Sequence, residues 1–366
     1  MAPVAVSSPP KVVEQLKTVA AETPVEEAFD IRSFSHFDCT PSIGTEFRAV
    51  TTDERPAIGI RDILGNDRRI KGLGRLVSER GVVFFRNAVI STKEQVELVQ
   101  ALGVQGGKPA DSGLHVHPLT LPDQVEGDEI ALISNRFVFG KAFQRKGFGI
   151  LDRRLGKDEW HSDITYEAIP SDYATLQIRT LPEVGGDTLW ASAYEAFDRL
   201  SPTMQKFLEG LTAMHQGDGF LRFAEQVGVP VREPRGAPGN IGQSLEAIHP
   251  VVRTHPITGW KGLFVNRNFT KHIVELTPGE SANLLNFLFD HVSSNHDLQV
   301  RFRWEKDSLA IWDNRCTFHA ATADLDDGHR QGTRSISLGE RPYLDPASLT
   351  RRQALEKAKE AVEGQQ

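Results

Sequence analysis

The chain of 366 residues contains only two cysteines, Cys39 and Cys316, which argues against a disulfide scaffold and fits a reducing compartment. It also lacks any apolar run of about 20 residues, so the sequence offers no transmembrane helix. The first residues have neither a basic region nor an apolar core. We therefore expect no secretory signal and a cytoplasmic location.

The chain has fewer basic than acidic residues. Lys and Arg number 42 against 49 Asp and Glu, which gives a formal net charge of -7. A nucleic-acid-binding protein needs a basic footprint, so we expect no nucleic-acid partner. Hydrophobic residues make up 39% of the chain and charged residues 25%, proportions typical of a soluble globular protein. We expect no membrane partner, and the sequence leaves homo-oligomer formation open.

Two short runs, far apart in the chain, carry residues that bind metals. The first is Trp160-His161-Ser162-Asp163, and the second runs from Trp312 to His319. Residues i and i+2 of an extended segment point to the same face, so His161 and Asp163 can grip one ion from a strand or strand end. With His319 they form a 2-His-1-carboxylate set, which suits Fe(II) and leaves room for a chelating co-substrate and O2.

An isolated His-x-Asp pair is weak evidence, because the pattern often arises by chance. His36-Phe37-Asp38 has the same pattern but stands in a stretch without cofactor-like motifs. His161 is followed by the turn Gly185-Gly186-Asp187-Thr188, and arginines follow His319. This context favours the pair at His161 as the metal site.

In this order, the motifs resemble the taurine dioxygenase (TauD/TfdA) family of Fe(II)- and 2-oxoglutarate-dependent dioxygenases. The resemblance runs from about Gly81 to about Gly339, which is most of the chain. It implies an oxidoreductase that uses Fe(II), 2-oxoglutarate and O2 to oxidise a C–H bond of a small anionic substrate, with release of succinate and CO2. The motifs are Trp160-His161-Ser162-Asp163, Gly185-Gly186-Asp187-Thr188-Leu189-Trp190, Trp312-Asp313-Asn314-Arg315, His319, Arg330 and Arg334.

The resemblance also implies roles for single residues around the metal. His161, Asp163 and His319 would be the catalytic iron ligands. Thr188 falls where the family places a hydroxyl on the distal carboxylate of 2-oxoglutarate, and Arg330 falls where it places the arginine that pairs with the same group. A guanidinium presents a rigid fork that fits a carboxylate, which a lysine does not.

Three further residues match substrate-facing positions of the family: His117, Ile164 and Arg334. Arg334 stands four residues beyond Arg330, and strand alternation would place both on one face. The chain departs from the taurine enzyme at Thr120, where that enzyme has a tyrosine. Lys157 likewise replaces an asparagine. Arg334 favours an anion, and a sulfonate other than taurine, a sulfate ester or an amino or carboxylic acid fits equally well.

Many short strands with few helices favour a mainly β fold with flanking helices, a double-stranded β-helix or jelly roll. We expect a mobile N-terminal extension over 1–30, a single dioxygenase domain over 31–345 and a C-terminal helix over 346–366. Residues 215–246 are rich in Gly, Pro and Arg without a strong period, and we interpret them as a lid-like insertion.

Several elements have clear local signals. The stretch 70–80 predicts a helix, and the apolar run 81–86 predicts a buried strand. Ser91 with Glu94 three residues on forms a capping box that opens a helix. The apolar face within 281–291 predicts another helix.

Two other protein classes remain open at this stage. A non-catalytic metal-binding jelly roll would keep the three ligands, and a hydrolase of the same fold would use a different divalent metal. Neither of these two classes explains why Arg330 and Thr188 stand at their family positions.

Overall fold

The computed structural model describes residues 29–48, 54–119, 127–135, 137–138, 143–144, 156–322, 324–325 and 328–364. The predicted N-terminal extension lies almost wholly outside these ranges. Among the helices described, none has the length and apolar character needed to cross a membrane.

Eight α-helices are present in the described ranges, and they flank the sheets. They are α1 (Ile60–Ile63), α2 (Asp67–Arg80), α3 (Thr92–Gln105), α4 (Ala193–Asp198), α5 (Pro202–Leu208), α6 (Asp218–Val227), α7 (Pro278–Ser293) and α8 (Arg351–Glu363). The helix predicted over 70–80 is confirmed as α2, and the one predicted over 281–291 as α7. The Ser91–Glu94 capping box is formed at the start of α3, as the sequence predicts.

The same ranges contain eighteen strands. They are β1 (His36–Asp38), β2 (Thr45–Phe47), β3 (Val82–Phe85), β4 (Ile130–Ser134), β5 (Phe137–Val138), β6 (Phe143–Gln144), β7 (Ser171–Thr180), β8 (Thr188–Ser192), β9 (Thr212–Gln216), β10 (Glu246–Pro250), β11 (Val252–Thr254), β12 (Trp260–Leu263), β13 (Thr270–Ile273), β14 (Gln299–Phe302), β15 (Leu309–Asp313), β16 (Thr317–Ala321), β17 (Gln331–Leu338) and β18 (Leu349–Thr350).

The largest sheet has seven strands in the order β1-β2-β3-β15-β7-β17-β4. All its pairs are antiparallel except β2 with β3. Three-stranded sheets have the orders β14-β8-β16, β10-β9-β13 and β11-β12-β18, and β5 pairs with β6. The architecture is therefore a mixture of helices and several sheets.

The seven-stranded sheet is covered on both faces, which explains the unbroken apolar run predicted as a buried strand. Along β3, Val83 and Phe85 join the cluster formed with α2 and α3, while Val82 and Phe84 join a cluster on the opposite face. Successive side chains of a strand point to opposite faces, so both faces of β3 must be apolar.

Aromatic rings join the seven-stranded sheet to the β14-β8-β16 sheet. The ring centroid of Phe84 lies 4.0 Å from Phe302 and 5.4 Å from Trp190. Trp190 also lies 5.8 Å from Trp312. These contacts bring β8 and β14 against β3 and β15, so the two sheets face each other. Among the predicted site residues, Thr188 lies on β8 and His319 on β16, and Arg334 lies on β17 of the seven-stranded sheet.

The prediction that residues 215–246 lack a regular period is wrong for the first part of this segment. It contains the ten-residue helix α6, which ends at Gly228 in the left-handed conformation. Phe220, Leu221 and Ala224 supply an apolar face three to four residues apart, and this face packs into the main core. Because Gly, Pro and Arg are abundant around this short apolar pattern, the sequence did not predict the helix.

The rest of this segment is fixed to the body of the protein. Arg235 is buried against Glu167, and its Nη2 lies 3.1 Å from Glu167 Oε2. The Asn240 side chain donates to the Ile169 carbonyl at 2.8 Å and accepts from its amide at 2.9 Å. Gly236 has φ +90, and a Cβ there would stand 1.9 Å from the Leu114 carbonyl oxygen. Only glycine allows this approach.

Candidate metal centre and co-substrate pocket

His161 and His319 meet through their backbones. The His161 amide donates to the His319 carbonyl at 3.0 Å, and the His319 amide donates to the His161 carbonyl at 2.7 Å. His319 lies in the middle of β16, whereas His161 forms an isolated bridge and Asp163 lies in the turn that follows. The predicted His-x-Asp pair therefore lies at a strand end. Ser162 points elsewhere, with its hydroxyl donating to the Thr317 carbonyl at 2.5 Å.

The three predicted ligands converge. Asp163 Oδ1 lies 3.8 Å from His161 Nε2, and Asp163 Oδ2 lies 3.8 Å from His319 Nε2. One ligand atom from each residue falls within 4.8 Å of the others. Asp163 and His319 are buried, and the side chain of His161 is 22% exposed. The cluster thus has one partly open side.

Charge within this cluster favours the metal-binding protonation states. Burial raises the pKa of Asp163, but the Arg334 guanidinium and the imidazoles outweigh it and hold that pKa at about 2. Burial, with His161 nearby, lowers the pKa of His319 to about 3. At neutral pH the carboxylate is therefore ionised and the His319 imidazole neutral, as metal ligands must be.

The two oxygens of Asp163 have different surroundings. Oδ1 accepts a hydrogen bond from Arg334 Nη1 at 2.8 Å. Oδ2 is buried and has no hydrogen-bond partner among the described residues. An unpaired buried carboxylate oxygen is costly in a native structure and calls for a partner. Its position beside the histidine nitrogens fits a bound cation, and the N,O donor set suits Fe(II).

Neighbouring groups orient the candidate ligands. The Nδ1 of His161 lies 2.8 Å from the Glu159 carbonyl, which fixes the proton on Nδ1 and leaves Nε2 for a metal. Asn314 accepts from the Asp163 amide at 3.1 Å and from Trp312 Nε1 at 3.1 Å. Asn314 lies in the motif Trp312-Asp313-Asn314-Arg315, and its place in that motif is the signal in the sequence that could have indicated this role.

A second group, His255, Asp313 and Cys316, also has ligand atoms close together. Here Asp313 is already satisfied, because Oδ2 takes bonds from His255 at 2.9 Å and from Arg315 at 2.7 Å. Ser78 donates to the same oxygen at 2.9 Å. Burial raises the pKa of the Cys316 thiol well above its ordinary value. This group is a completed hydrogen-bond network and leaves no room for an ion.

Arg330 and Thr188 are also in contact. Arg330 Nη2 donates to Thr188 Oγ1 at 3.0 Å, and Trp304 Nε1 donates to the same hydroxyl at 3.0 Å. The arginine is only 6% exposed and has no acidic partner within 4 Å among the described residues. Burial lowers its pKa to about 10, so it remains charged. A buried, unpaired guanidinium provides a place for a carboxylate.

The Gly185-Gly186 turn allows this contact. Both glycines have positive φ, +81 and +73, which side-chain-bearing residues rarely adopt. A Cβ on Gly186 would stand 2.9 Å from the Cδ of Arg330. The turn therefore lets the arginine approach Thr188 at the start of β8.

Arg330 and Arg334 have different contact partners. Arg330 precedes β17, and the pairing of β17 with β7 shifts register between Gln331 and Gly332. Arg330 contacts Thr188, whereas Arg334 contacts Asp163. The extra residue of this shift lies in β7, since Gln331 pairs with Thr180 and Gly332 with Ile178, so the shift does not contradict the expectation that the two arginines share a face.

The remaining predicted substrate residues lie near Arg334. His117 and Arg334 line one cavity, together with His115, Asp128, Glu129, Ala131 and Ile336. The His117 Nδ1 accepts from the Leu119 amide at 3.1 Å. Ile164 is buried in the main core with φ +51, a strained conformation for a β-branched residue directly after Asp163.

An aromatic wall that sequence reasoning missed stands beside the metal cluster. The ring of Phe269 lies 6.0 Å from His161 and 5.0 Å from Tyr166, and Phe220 of α6 lies 5.4 Å from Tyr166. Phe220 also meets His117 edge-on at 5.2 Å. These side chains come from distant parts of the chain, and no local motif marks them.

The convergence of His161, Asp163 and His319 fits an Fe(II) site of the kind found in 2-oxoglutarate-dependent dioxygenases. The family model described as "Taurine catabolism dioxygenase TauD, TfdA family" matches residues 38–336. The chain therefore belongs to the TauD/TfdA family. It is an oxidoreductase of the alpha-ketoglutarate (2-oxoglutarate)-dependent dioxygenase class, which uses Fe(II), 2-oxoglutarate and O2.

Individual relatives agree with this assignment. The alpha-ketoglutarate-dependent dioxygenase esdpJ of Penicillium shearii is 39% identical, over 91% of this chain and 96% of its own. The alpha-ketoglutarate-dependent sulfonate dioxygenase of Saccharomyces cerevisiae is 34% identical, over 85% and 71% respectively. The crystal structure of a taurine dioxygenase from Burkholderia xenovorans is similar with a TM-score of 0.63 and 26% identity, over 86% and 94%.

Proposed function

We propose that this dioxygenase oxidises a C–H bond of a small anionic organic substrate, with His161, Asp163 and His319 as the iron ligands. The observation that carries the proposal is the buried Oδ2 of Asp163, which has no hydrogen-bond partner among the described residues and lies 3.8 Å from His319 Nε2. Bound Fe(II) would supply O2 activation coupled to the decarboxylation of 2-oxoglutarate to succinate and CO2. The protein residues hold and orient the reactants and exclude water.

We infer that Arg330 and Thr188 bind the distal carboxylate of 2-oxoglutarate. The support is the buried charge of Arg330, which has no carboxylate within 4 Å among the described residues, and the Thr188 hydroxyl 3.0 Å from it. Trp304 donates to the same hydroxyl and leaves its hydrogen free to point at a carboxylate oxygen. A bidentate contact from the guanidinium would fix the co-substrate's orientation.

We infer that Arg334 and His117 meet the anionic head of the substrate, with Ile164 beside it. Arg334 donates one N–H to Asp163, and its buried Nε has no partner in the described part of the chain. The rings of Tyr166, Phe220 and Phe269 would cover an apolar body. The heads that fit are a sulfonate, a sulfate ester or the carboxylate of an amino or carboxylic acid. The similarity to the yeast sulfonate dioxygenase supports the first of these head groups.

We further propose that the two facing sheets form a double-stranded β-helix, or jelly roll, within one domain over 31–345. The C-terminal segment 346–366, with α8, would then flank this domain. The anchored segment 215–246 would act as a fixed wall of the substrate site and not as a moving lid. The support is its buried contacts to Glu167 and Ile169.

A non-catalytic metal-binding jelly roll is the alternative, and it leaves the buried Arg330 without a ligand. Succinate release from Fe(II), O2 and 2-oxoglutarate distinguishes the two functions. The panel is taurine, 1-hexanesulfonate, hexyl sulfate, hexanoate and a set of amino acids, with His319→Ala as the matched control. We expect one head-group class to stimulate succinate release in the wild type alone. Stimulation by none of these compounds, or equal release by His319→Ala, contradicts the proposal.

A further inference from the structure

His115 is buried with both of its ring nitrogens unsatisfied. The residue is 6% exposed, and neither Nδ1 nor Nε2 has a hydrogen-bond partner among the described residues. A neutral imidazole carries one N–H donor and one acceptor, and leaving such groups buried and unpaired destabilises the folded protein. Native structures keep few of them, and each one calls for an explanation.

Other buried histidines show what a purely structural histidine looks like in this protein. His215 places Nδ1 2.9 Å from the Thr165 hydroxyl. His249 places Nε2 3.0 Å from the Thr165 and Glu167 carbonyls, and His255 contacts Asp313 at 2.9 Å. Among the described histidines, His115 is the one with both nitrogens buried and unpartnered. Packing needs alone do not explain it.

The backbone holds His115 in place firmly. Its amide donates to the Ile336 carbonyl at 2.9 Å, and the preceding Leu114 forms a bridge with Ser337. The Gly113 amide donates to the Gly236 carbonyl at 2.8 Å, which ties the same segment to the loop after α6. These backbone hydrogen bonds hold His115 opposite Ile336, which lies two residues after Arg334 on β17.

The ring of His115 faces a cavity that also contains the proposed substrate residues. The cavity is lined by His115, His117 and Arg334, with Asp128, Glu129, Ala131 and Ile336 around them. The rings of His115 and His117 lie 6.1 Å apart. Asp128 is already neutralised by Arg232, whose two Nη atoms each lie 2.8 Å from its carboxylate. Among the described residues, the buried atoms on this side that have no hydrogen-bond partner are the two ring nitrogens of His115 and the Nε of Arg334.

We propose that His115 is a specificity-determining residue that donates a ring N–H to an oxygen of the same anionic head group that Arg334 binds. The second ring nitrogen then accepts from a hydroxyl, an amine or a water carried with the substrate. This role rests on the proposed function and adds a third donor to Arg334 and His117. It predicts that His115 affects substrate binding and leaves 2-oxoglutarate binding unchanged, because Arg330 and Thr188 are not among the residues that line the cavity of His115.

The test measures binding without turnover. We expect the anaerobic Fe(II)–2-oxoglutarate enzyme to have a weak visible absorption band, and titration with 1-hexanesulfonate, hexyl sulfate or hexanoate should perturb that band when the probe binds beside the iron. Kd is compared for wild type, His115→Phe and His115→Gln. Phe keeps a ring of similar size without nitrogens, whereas Gln keeps one donor and one acceptor. The 2-oxoglutarate titration of each variant is the internal control.

For the probe that binds the wild type most tightly, we expect His115→Phe to weaken binding about tenfold or more, since one hydrogen bond to a charged group is lost. We expect His115→Gln to stay within about threefold and 2-oxoglutarate binding within about twofold in both variants. Equal probe Kd in wild type and His115→Phe overturns the His115 proposal and leaves the proposed function standing. If no probe perturbs the wild-type band, the anionic-substrate assignment itself fails, and this proposal fails with it.

A second readout does not depend on how well His115→Phe folds. The ring ¹⁵N resonances of His115, assigned by their absence in His115→Gln, report its hydrogen bonds in the wild-type Fe-free protein loaded with Zn(II) and 2-oxoglutarate. We expect these resonances to shift on addition of the binding probe. Resonances that stay fixed while those of His117 shift contradict the proposal.

Discussion

Arg334 Nη1 lies 2.8 Å from Asp163 Oδ1, so the proposed substrate arginine touches a proposed iron ligand directly. This contact divides the carboxylate into an oxygen paired with the arginine and an oxygen left for the metal. It also fixes the guanidinium beside the metal cluster at the cost of one of its five N–H groups. The substrate anion would therefore be held at a set distance from the oxidising centre.

Replacing Arg334 should separate substrate binding from co-substrate binding. Arg334→Gln removes the charge, and a lost hydrogen bond to a charged group is worth about 1.5 to 3 kcal/mol. We therefore expect the substrate KM to rise about tenfold or more, with the 2-oxoglutarate KM within about twofold. Arg334→Lys, which keeps the charge without the fork, should fall between. An unchanged substrate KM in Arg334→Gln would remove this residue from the substrate site.

Arg330 should control 2-oxoglutarate affinity and leave iron binding intact. We expect Arg330→Ala to raise the apparent 2-oxoglutarate KM about tenfold or more, because a buried charge-assisted contact is lost. Arg301 on β14 is a suitable control, since it is half exposed and pairs with Asp187 next to Thr188. We expect Arg301→Ala to leave the KM within about twofold. Equal behaviour of the two variants would show that Arg330 has no special role.

The buried Arg235–Glu167 pair should stabilise the wall formed by the segment 215–246. Both side chains are nearly inaccessible, at 1% and 3% exposure. Removing one partner leaves a buried charge unpaired, so we expect Arg235→Met to lower the free energy of unfolding by about 3 to 5 kcal/mol in urea titrations. Arg222→Met breaks the exposed pair with Asp218 on α6 and should cost about 0 to 1 kcal/mol. If Arg235→Met lowers the free energy of unfolding by less than this, the Arg235–Glu167 pair does not stabilise the segment 215–246.

Histidine burial should make the metal-free protein less stable in mild acid. Burial and nearby Arg253 lower the pKa of His249 to about 4, whereas the unfolded chain takes up that proton near the ordinary value of 6.5. The unfolded state therefore binds more protons between pH 6.5 and 4, and this contribution to stability, complete above pH 6.5, is lost as the pH falls.

Comparison with His249→Gln isolates this group, because other titrating groups such as Asp172 are common to both proteins. We expect the stability gap between wild type and His249→Gln to shrink by on the order of 2 kcal/mol from pH 7 to pH 4.5, in urea titrations with a chelator present. A gap that does not change with pH would show that His249 titrates alike in folded and unfolded chains.

Local sequence signals predicted the elements whose cause is local. The Ser91–Glu94 box stands at the start of α3, and the apolar run at β3 is buried on both faces. The convergence of His161, Asp163 and His319 was predicted from the His-x-Asp pair and from the order of the motifs along the chain. These features depend on short-range chemistry or on a motif that carries its own spacing.

Features set by tertiary contacts could not be predicted in this way. Nothing in the sequence around Ile164 indicates a positive φ, which opposes the preference of a β-branched residue. The contact of Arg334 with Asp163 joins residues 171 positions apart. The helix α6 was missed because only its pattern of Phe220, Leu221 and Ala224 indicates it, within a stretch rich in helix breakers.

The most direct test of the central claim is anaerobic Fe(II) binding followed by 2-oxoglutarate addition, in wild type, His319→Ala and Arg330→Ala. We expect the wild type to bind one Fe(II) and to develop the visible chelate band. His319→Ala should lose the iron, and Arg330→Ala should keep it while needing about tenfold more 2-oxoglutarate for the same band. Full iron binding and an unchanged band in His319→Ala would contradict the assignment of this site.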